Sequence, residues 1–169
     1  MKLKAFLIFI VFTNDAFSQN SSVKVLDTDF SKGRLQNVQT ITLNDAVKLH
    51  GHLCDGLVVG FLGLKETMYK LYTDSIIDRT NNRIVSKSSP CLTDIAIFMT
   101  GARYQYNTFY VSDSIKYQFI VHRIDNEKTY GVKLKSGLLP SAIDSLGKLA
   151  VKGDLDACGI DSLRNLESQ

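Results

Sequence analysis

Between Asp55 and Tyr72 the apolar residues Leu57, Phe61, Leu64, Met68 and Leu71 return at three- and four-residue steps. That is the helical period, and it predicts an amphipathic helix over this stretch. A shorter helix is expected just upstream, from Thr42 into His50. Thr42 or Asn44 is placed to cap its first turn, and Gly51 to end it. Cys91 to Met99 reads as a short apolar helix entered after Pro90 and left at Gly101. Four runs rich in β-branched and aromatic residues predict strands: Arg83–Lys87, Thr108–Val111, Tyr117–Val121 and Tyr130–Leu134. Two further helices are expected over Pro140–Ala150 and Asp156–Leu166. Helices first and a run of strands later predict an α+β fold, with helices packed on an antiparallel sheet formed as a meander.

The N-terminus follows another pattern. Met1-Lys2-Leu3-Lys4 is basic, Ala5 to Phe12 is a continuous apolar run, and Thr13 to Ser18 turns polar and small. This sequence of regions predicts a signal peptide over residues 1–18, with the mature chain beginning at Gln19. The apolar run is too short for a permanent span, which needs roughly 20 residues. Residues 19–40 are polar and weakly patterned and are expected to be an extended lead-in. Residues 41–169 are then one α+β domain, periplasmic or secreted, with no stable membrane insertion once the signal is removed. The whole chain has 20 basic and 17 acidic residues, interspersed rather than clustered. That balance gives no electrostatic footprint for nucleic acid.

The candidate chemistry is concentrated at His50-Gly51-His52-Leu53-Cys54-Asp55-Gly56. The chain has three His and three Cys, and three of those six fall in this segment. Imidazole and thiolate suit zinc and its neighbours among the transition metals. If the segment is extended, His50, His52 and Cys54 project to one face. If it is a tight turn, its glycines let the chain fold back around an ion. Further donors are Cys91, at the start of a predicted helix where a thiolate is stabilised, Asp94 one turn along the same face, His122 and Cys158. Two other arrangements use the same residues. Cys54 and Cys91 could form a disulfide in an exported protein, with Cys158 left over, and the histidines could simply bond backbone groups. No phosphate loop, nucleotide fingerprint or nucleophile elbow is present.

The segment HGHLCDGLVVGFLGL resembles the opening motif of the formylmethanofuran dehydrogenase E-subunit family, approximately His-Gly-His-x-Cys-Pro-Gly followed by a glycine-bearing apolar helix. Cys91-Leu92-Thr93-Asp94-Ile95-Ala96 and Gly101 resemble that family's second landmark, and the likeness covers about residues 42–135. The resemblance implies an α+β core, a homodimer, and a transition-metal site, zinc first, built from His50, His52, Cys54 and Cys91. Asp55 or Asp94 would orient a ligand or act as a base. Three departures stand out. Asp55 replaces the usual Pro, Ala102-Arg103 replace a Cys-Thr pair, and only Cys158 remains where many members carry a C-terminal zinc finger. Tyr104 and Tyr106, in the altered loop, are expected to line a site for a flat ligand. The resulting expectation is an exported metal-binding domain that binds or transforms a small molecule at an open metal position. A non-catalytic metal or cofactor carrier, and a thiol–disulfide protein using Cys54 and Cys91, are the alternatives.

Overall fold

The computed structural model describes residues 4–5, 21–29, 34–135, 137 and 140–167. Apart from Lys4 and Ala5, the stretch expected to be a signal peptide lies outside the described residues. The elements are β1 (Lys4–Ala5), β2 (Ser22–Asp29), β3 (Arg34–Thr42), α1 (Leu43–His50), α2 (Asp55–Leu71), β4 (Ile76–Asp78), β5 (Asn82–Ser86), α3 (Pro90–Thr100), β6 (Phe109–Val111), β7 (Phe119–Arg123), β8 (Thr129–Val132), α4 (Ser141–Lys152) and α5 (Ala157–Glu167). Two mixed, mostly antiparallel sheets and the helices make an α+β fold, as the sequence predicts. No helix among the described residues is long and apolar enough to cross a membrane.

Within the stretch expected to be an extended lead-in, the described residues form paired strands. β2 pairs antiparallel with β3 and parallel with β4, in the order β3-β2-β4. Val23, Val25 and Ile41 from this sheet are buried in the same core as α2. The second sheet has the order β1-β8-β7-β5-β6. It is not a meander, because β5 inserts between β6 and β7. β5 runs parallel to β6 and antiparallel to β7, so the expected β6–β7 hairpin does not form. At the far edge Lys4 and Ala5 pair in parallel with Tyr130 and Gly131.

α2 is the pillar of the core. Leu57, Phe61, Leu64, Met68 and Leu71, the residues that set its period, are all buried. It packs on α3, on β7 and β8, and on β4 of the other sheet. Gly60 and Gly63 allow that approach: a Cβ at Gly60 would meet Ile95 Cγ2 at 3.1 Å, and one at Gly63 would meet Val132 Cγ1 at 3.2 Å. At one end of the core Tyr72 points its phenol inward and donates to Asn82 Oδ1 at 2.9 Å. Arg123 lies over the Tyr72 ring, 4.2 Å from its centroid, and donates to the carbonyl of Leu71 at 2.6 Å. These contacts tie α2 to β5 and β7 at the end of α2 opposite Cys54.

Candidate metal centre

Three helix ends meet at the His/Cys segment. α1 starts at a capping box: Asp45 N–H donates to Thr42 Oγ1, and Thr42 N–H donates to Asp45 Oδ2, both at 3.1 Å. Of the two candidate caps, Thr42 is the one used. This satisfies two of the orphan donors of the first turn. The helix ends with His50 as its last residue, because Gly51 takes a left-handed conformation (φ 100°) that few side chains tolerate. The chain turns, and Cys54, in extended conformation, stands immediately before α2. Asp55 opens α2, where a carboxylate suits the positive end of the helix dipole, and it accepts from the Gly56 N–H at 2.7 Å. Cys91 enters from α3, whose first residue is Pro90, with φ already set for a helix.

His50, Cys54 and Cys91 converge. Their ligand atoms all lie within 4.8 Å of one another, an arrangement that can hold a metal ion. Cys54 Sγ is 3.4 Å from Cys91 Sγ and 3.7 Å from His50 Nε2. The other ring nitrogen, Nδ1, lies 2.8 Å from Asp94 Oδ2. The carboxylate accepts from Nδ1 and leaves Nε2 facing the sulfurs. The His50 side chain is 5 % exposed and Cys54 is 6 % exposed, while Cys91 is half-buried. The three residues are thus withdrawn from water, with Cys91 on the more open side.

The two thiols are pushed in opposite directions. Cys91 is lowered to about 6, first by the hydrogen bond from Cys54, then by the charge of His50 and hydrogen bonds from its own backbone and Ser89, against a rise from desolvation. Cys54 is raised, first by sharing a proton with Cys91 and then by burial. The two shifts together favour a thiolate on Cys91 beside a thiol on Cys54 in the metal-free pair. Both cysteines are free, as is Cys158, which is exposed on α5.

The remaining sequence candidates are placed differently. His52 is exposed and does not join the convergent trio; its ring stands 4.7 Å from that of His50, centroid to centroid. The turn breaks the extended geometry that would have put it on the same face. His122 lies on β7 and bonds Thr129 Oγ1 at 2.9 Å. Tyr104 and Tyr106 occupy a 3-10 turn after the C-terminal end of α3, whereas Cys91 is in its first turn. They lie roughly 15 Å of helix away from the thiols and do not line this centre.

Sequence reasoning missed Glu167 at the end of α5. Burial, and then the neighbouring Asp55 carboxylate, raise its pKa, and the charges of His52 and Cys91 also reach it. Beside the centre a cavity of about 510 Å³ is lined by Asp55, Ile143, Gly147, Lys148, Val151 and Glu167, among others. The C-terminal helices thus border Asp55, the residue after Cys54. Nothing in the local pattern around Glu167, a polar residue near the end of an amphipathic helix, marks it.

No curated protein matches the chain. A family model, FmdE, described as "Molybdenum formylmethanofuran dehydrogenase operon", matches residues 49–162. The match starts one residue before His50, runs into α5 and leaves β2 and β3 outside. It covers more than half of the chain and every residue of the convergent trio, and the chain belongs to the FmdE family.

Proposed function

We propose that this protein is an exported metal carrier or metal-dependent catalyst in which His50 Nε2, Cys54 Sγ and Cys91 Sγ hold one transition-metal ion, zinc first. The observation that carries the proposal is the aim of His50: Nδ1 is engaged by Asp94 at 2.8 Å, which leaves Nε2 facing a pair of sulfurs. A carboxylate behind an imidazole is the usual support of a ligating histidine. The spacing is close to what zinc needs. Bond lengths of about 2.3 Å to sulfur and about 2.0 Å to nitrogen put a sulfur and a nitrogen of a tetrahedral site roughly 3.5 Å apart, near the observed 3.7 Å, and two sulfurs roughly 3.8 Å apart, so the thiols at 3.4 Å would part slightly around an ion.

Three protein ligands leave a fourth position for water, a small ligand or a further side chain, which is the pattern of catalytic zinc sites. When bound, such an ion supplies Lewis acidity to a ligand beside it. The protein's own part is then to fix the imidazole through Asp94, to withdraw the sulfurs from water, and to admit ligands through the cavity flanked by Asp55 and Glu167. Export and a homodimer complete the proposal. They are checked by the N-terminal sequence of the protein recovered outside the cytoplasm, expected to begin at Gln19, and by sedimentation.

A second reading is favoured by the 3.4 Å approach of the two sulfurs and their divergent proton affinities. A thiolate at a helix N-terminus beside a protonated partner is also the arrangement of thiol–disulfide chemistry. Elemental analysis of untagged protein, together with a thiol count, separates the two. About one metal ion per chain, with two thiols released only on chelation, supports the metal centre. Metal-free protein in which Cys54 and Cys91 react only after reduction supports the dithiol. Turnover, tested with the loaded protein, separates catalyst from carrier.

A further inference from the structure

Strand β8 sits one place from the end of its sheet. Beyond it lie only Lys4 and Ala5, paired in parallel with Tyr130 and Gly131. Both fall in the stretch 1–18, whose pattern is that of a signal peptide. A chain that begins at Gln19 therefore carries β8 as a bare edge. We propose that in this mature chain β8 of a second copy takes the place of β1, antiparallel and centred on Tyr130, so that the two sheets become continuous. The proposal rests on the export and homodimer reading above and names the surface that joins the two copies.

The backbone of β8 is arranged to take another strand. Lys128 and Val132 turn their carbonyls toward β7, accepting from the N–H of Arg123 at 2.9 Å and of Gln118 at 2.8 Å. Backbone direction alternates along a strand, so Thr129, Gly131 and Lys133 turn theirs to the side where β1 lies. Gly131 brings no side chain to the edge, and the Tyr117 ring covers its face of the sheet: a Cβ at Gly131 would come within 2.7 Å of that ring. The first element of the mature chain, β2, is held between β3 and β4 in the other sheet. It is not free to cover β8. A bare row of donors and acceptors is a template for another chain.

The occupant is assigned as a second copy because the sequence around β8 is complementary to itself. Glu127 stands three residues before Tyr130 and Lys133 three residues after it, and both are exposed. Antiparallel pairing about Tyr130 puts Thr129 opposite Gly131 of the second copy, both with outward backbone groups. It also brings Glu127 level with Lys133 of the second copy, and the two-fold axis repeats each contact. Opposite charges across a strand pair are favourable, and like charges are not. The two Tyr130 residues meet at the axis as a non-hydrogen-bonded pair, where side chains come closest. Each is only half-buried against its own core, which leaves ring surface for an aromatic pair. The strand pair is short, so the dimer belongs to the class of small, concentration-dependent interfaces.

The test is sedimentation, over a concentration series, of the protein recovered outside the cytoplasm, once its N-terminal sequence has been read. The expected result is a monomer–dimer equilibrium. Lys133→Glu and Glu127→Lys should each weaken it about tenfold, because each turns both attractive contacts into repulsive ones. The double variant, with the charges exchanged, should recover most of that loss. Lys133→Pro removes an outward N–H and should weaken the dimer at least as much. Both positions are exposed, and the far-ultraviolet circular dichroism of each variant should match the wild type. A monomer at every concentration overturns the homodimer reading and this proposal together. A dimer indifferent to Lys133→Pro, or one whose charge variants do not rescue each other, overturns this proposal and leaves the homodimer standing. A recovered chain that begins at Met1 overturns it as well, since the edge then keeps β1.

Discussion

His50 and Asp94 stand 44 positions apart in the chain, yet the imidazole Nδ1 and the carboxylate Oδ2 are 2.8 Å apart. The contact joins the last residue of α1 to the second turn of α3, and the only ring nitrogen it leaves available faces Cys54. One hydrogen bond therefore sets the direction of the imidazole.

Removing that support should cost metal affinity rather than fold. Asp94 is about a third exposed at its side chain, so Asp94→Ala opens no cavity in the core. The ring of His50 then loses the acceptor that holds it. We expect zinc affinity to fall by about 10- to 100-fold, measured by competition with a coloured chelator. Thermal stability of the metal-free protein should change by little more than about 1 kcal/mol. An unchanged zinc affinity would mean that His50 is not a ligand.

Gly56 controls how closely α3 can approach the centre. A Cβ built there would lie 3.0 Å from Cys91 Sγ and 3.1 Å from Cys91 Cβ. Gly56→Ala favours the helix by roughly 1 kcal/mol, but the methyl must push Cys91 away. The expected outcome is a folded protein with unchanged far-ultraviolet circular dichroism, weaker metal binding and slower formation of a Cys54–Cys91 disulfide under mild oxidation. Wild-type behaviour on both counts would show that the two helices slide apart without cost.

Much of this site was legible from composition and period. The concentration of His and Cys around residues 50–54, the cap at Thr42, the stop at Gly51 and the helix opening at Cys91 are local signals. They marked His50, His52 and Cys54 as donors of one site and Cys91 as a further candidate; the family resemblance joined the four, of which His50, Cys54 and Cys91 converge. His52 was legible only as a donor. Alternation would put it beside its neighbours, whereas the left-handed turn at Gly51 brings residues 50 and 54 together and leaves 52 outside. The β2–β3 sheet was missed because its strands carry polar residues at many positions and much of β3 is exposed. Its pairing with β4 spans the whole of α1 and α2, a non-local fact that no window of sequence contains. The same holds for the insertion of β5 between β6 and β7.

The thiol pair predicts a distinctive pH dependence. In metal-free protein Cys91 should ionise with a midpoint of about 6, against 9.0 for an unperturbed thiol, while Cys54 keeps its proton. Alkylation at Cys91 should therefore rise through that midpoint and level off well below pH 9, as mass spectrometry of the labelled peptides would report. Because the folded pKa is the lower one, the stabilisation from this group is fully present above 9.0 and is lost as pH falls through about 6. Cys54 has the opposite sign: its proton is held more tightly in the fold, so raising pH above 9.0 destabilises through it. Cys54→Ala removes the largest cause of the Cys91 shift and should move the alkylation midpoint upward. A midpoint that stays near 6 in that variant would assign the shift to His50 and the helix end instead.

The cap of α1 makes a separate prediction at acid pH. Asp45 is lowered from 3.8 to about 2, first by its hydrogen bond with Lys48 and then by those with Thr42. Its folded pKa is below its unfolded one, so the stabilisation is fully present above 3.8 and disappears as pH falls through about 2. The group is exposed enough for solvent to screen most of the Lys48 pair, so the bonds to Thr42 should matter more. Thr42→Ala should cost about 1 kcal/mol near neutral pH by urea unfolding. It should also remove most of the extra loss that the wild type shows between pH 3.8 and 2. Because α1 ends on His50, fraying of its first turn reaches the metal centre only through the rest of the helix. Zinc affinity of Thr42→Ala near neutral pH should therefore fall far less than that of Asp94→Ala. If the two variants lose affinity equally, the centre depends on α1 as a whole rather than on the orientation of one imidazole by one carboxylate.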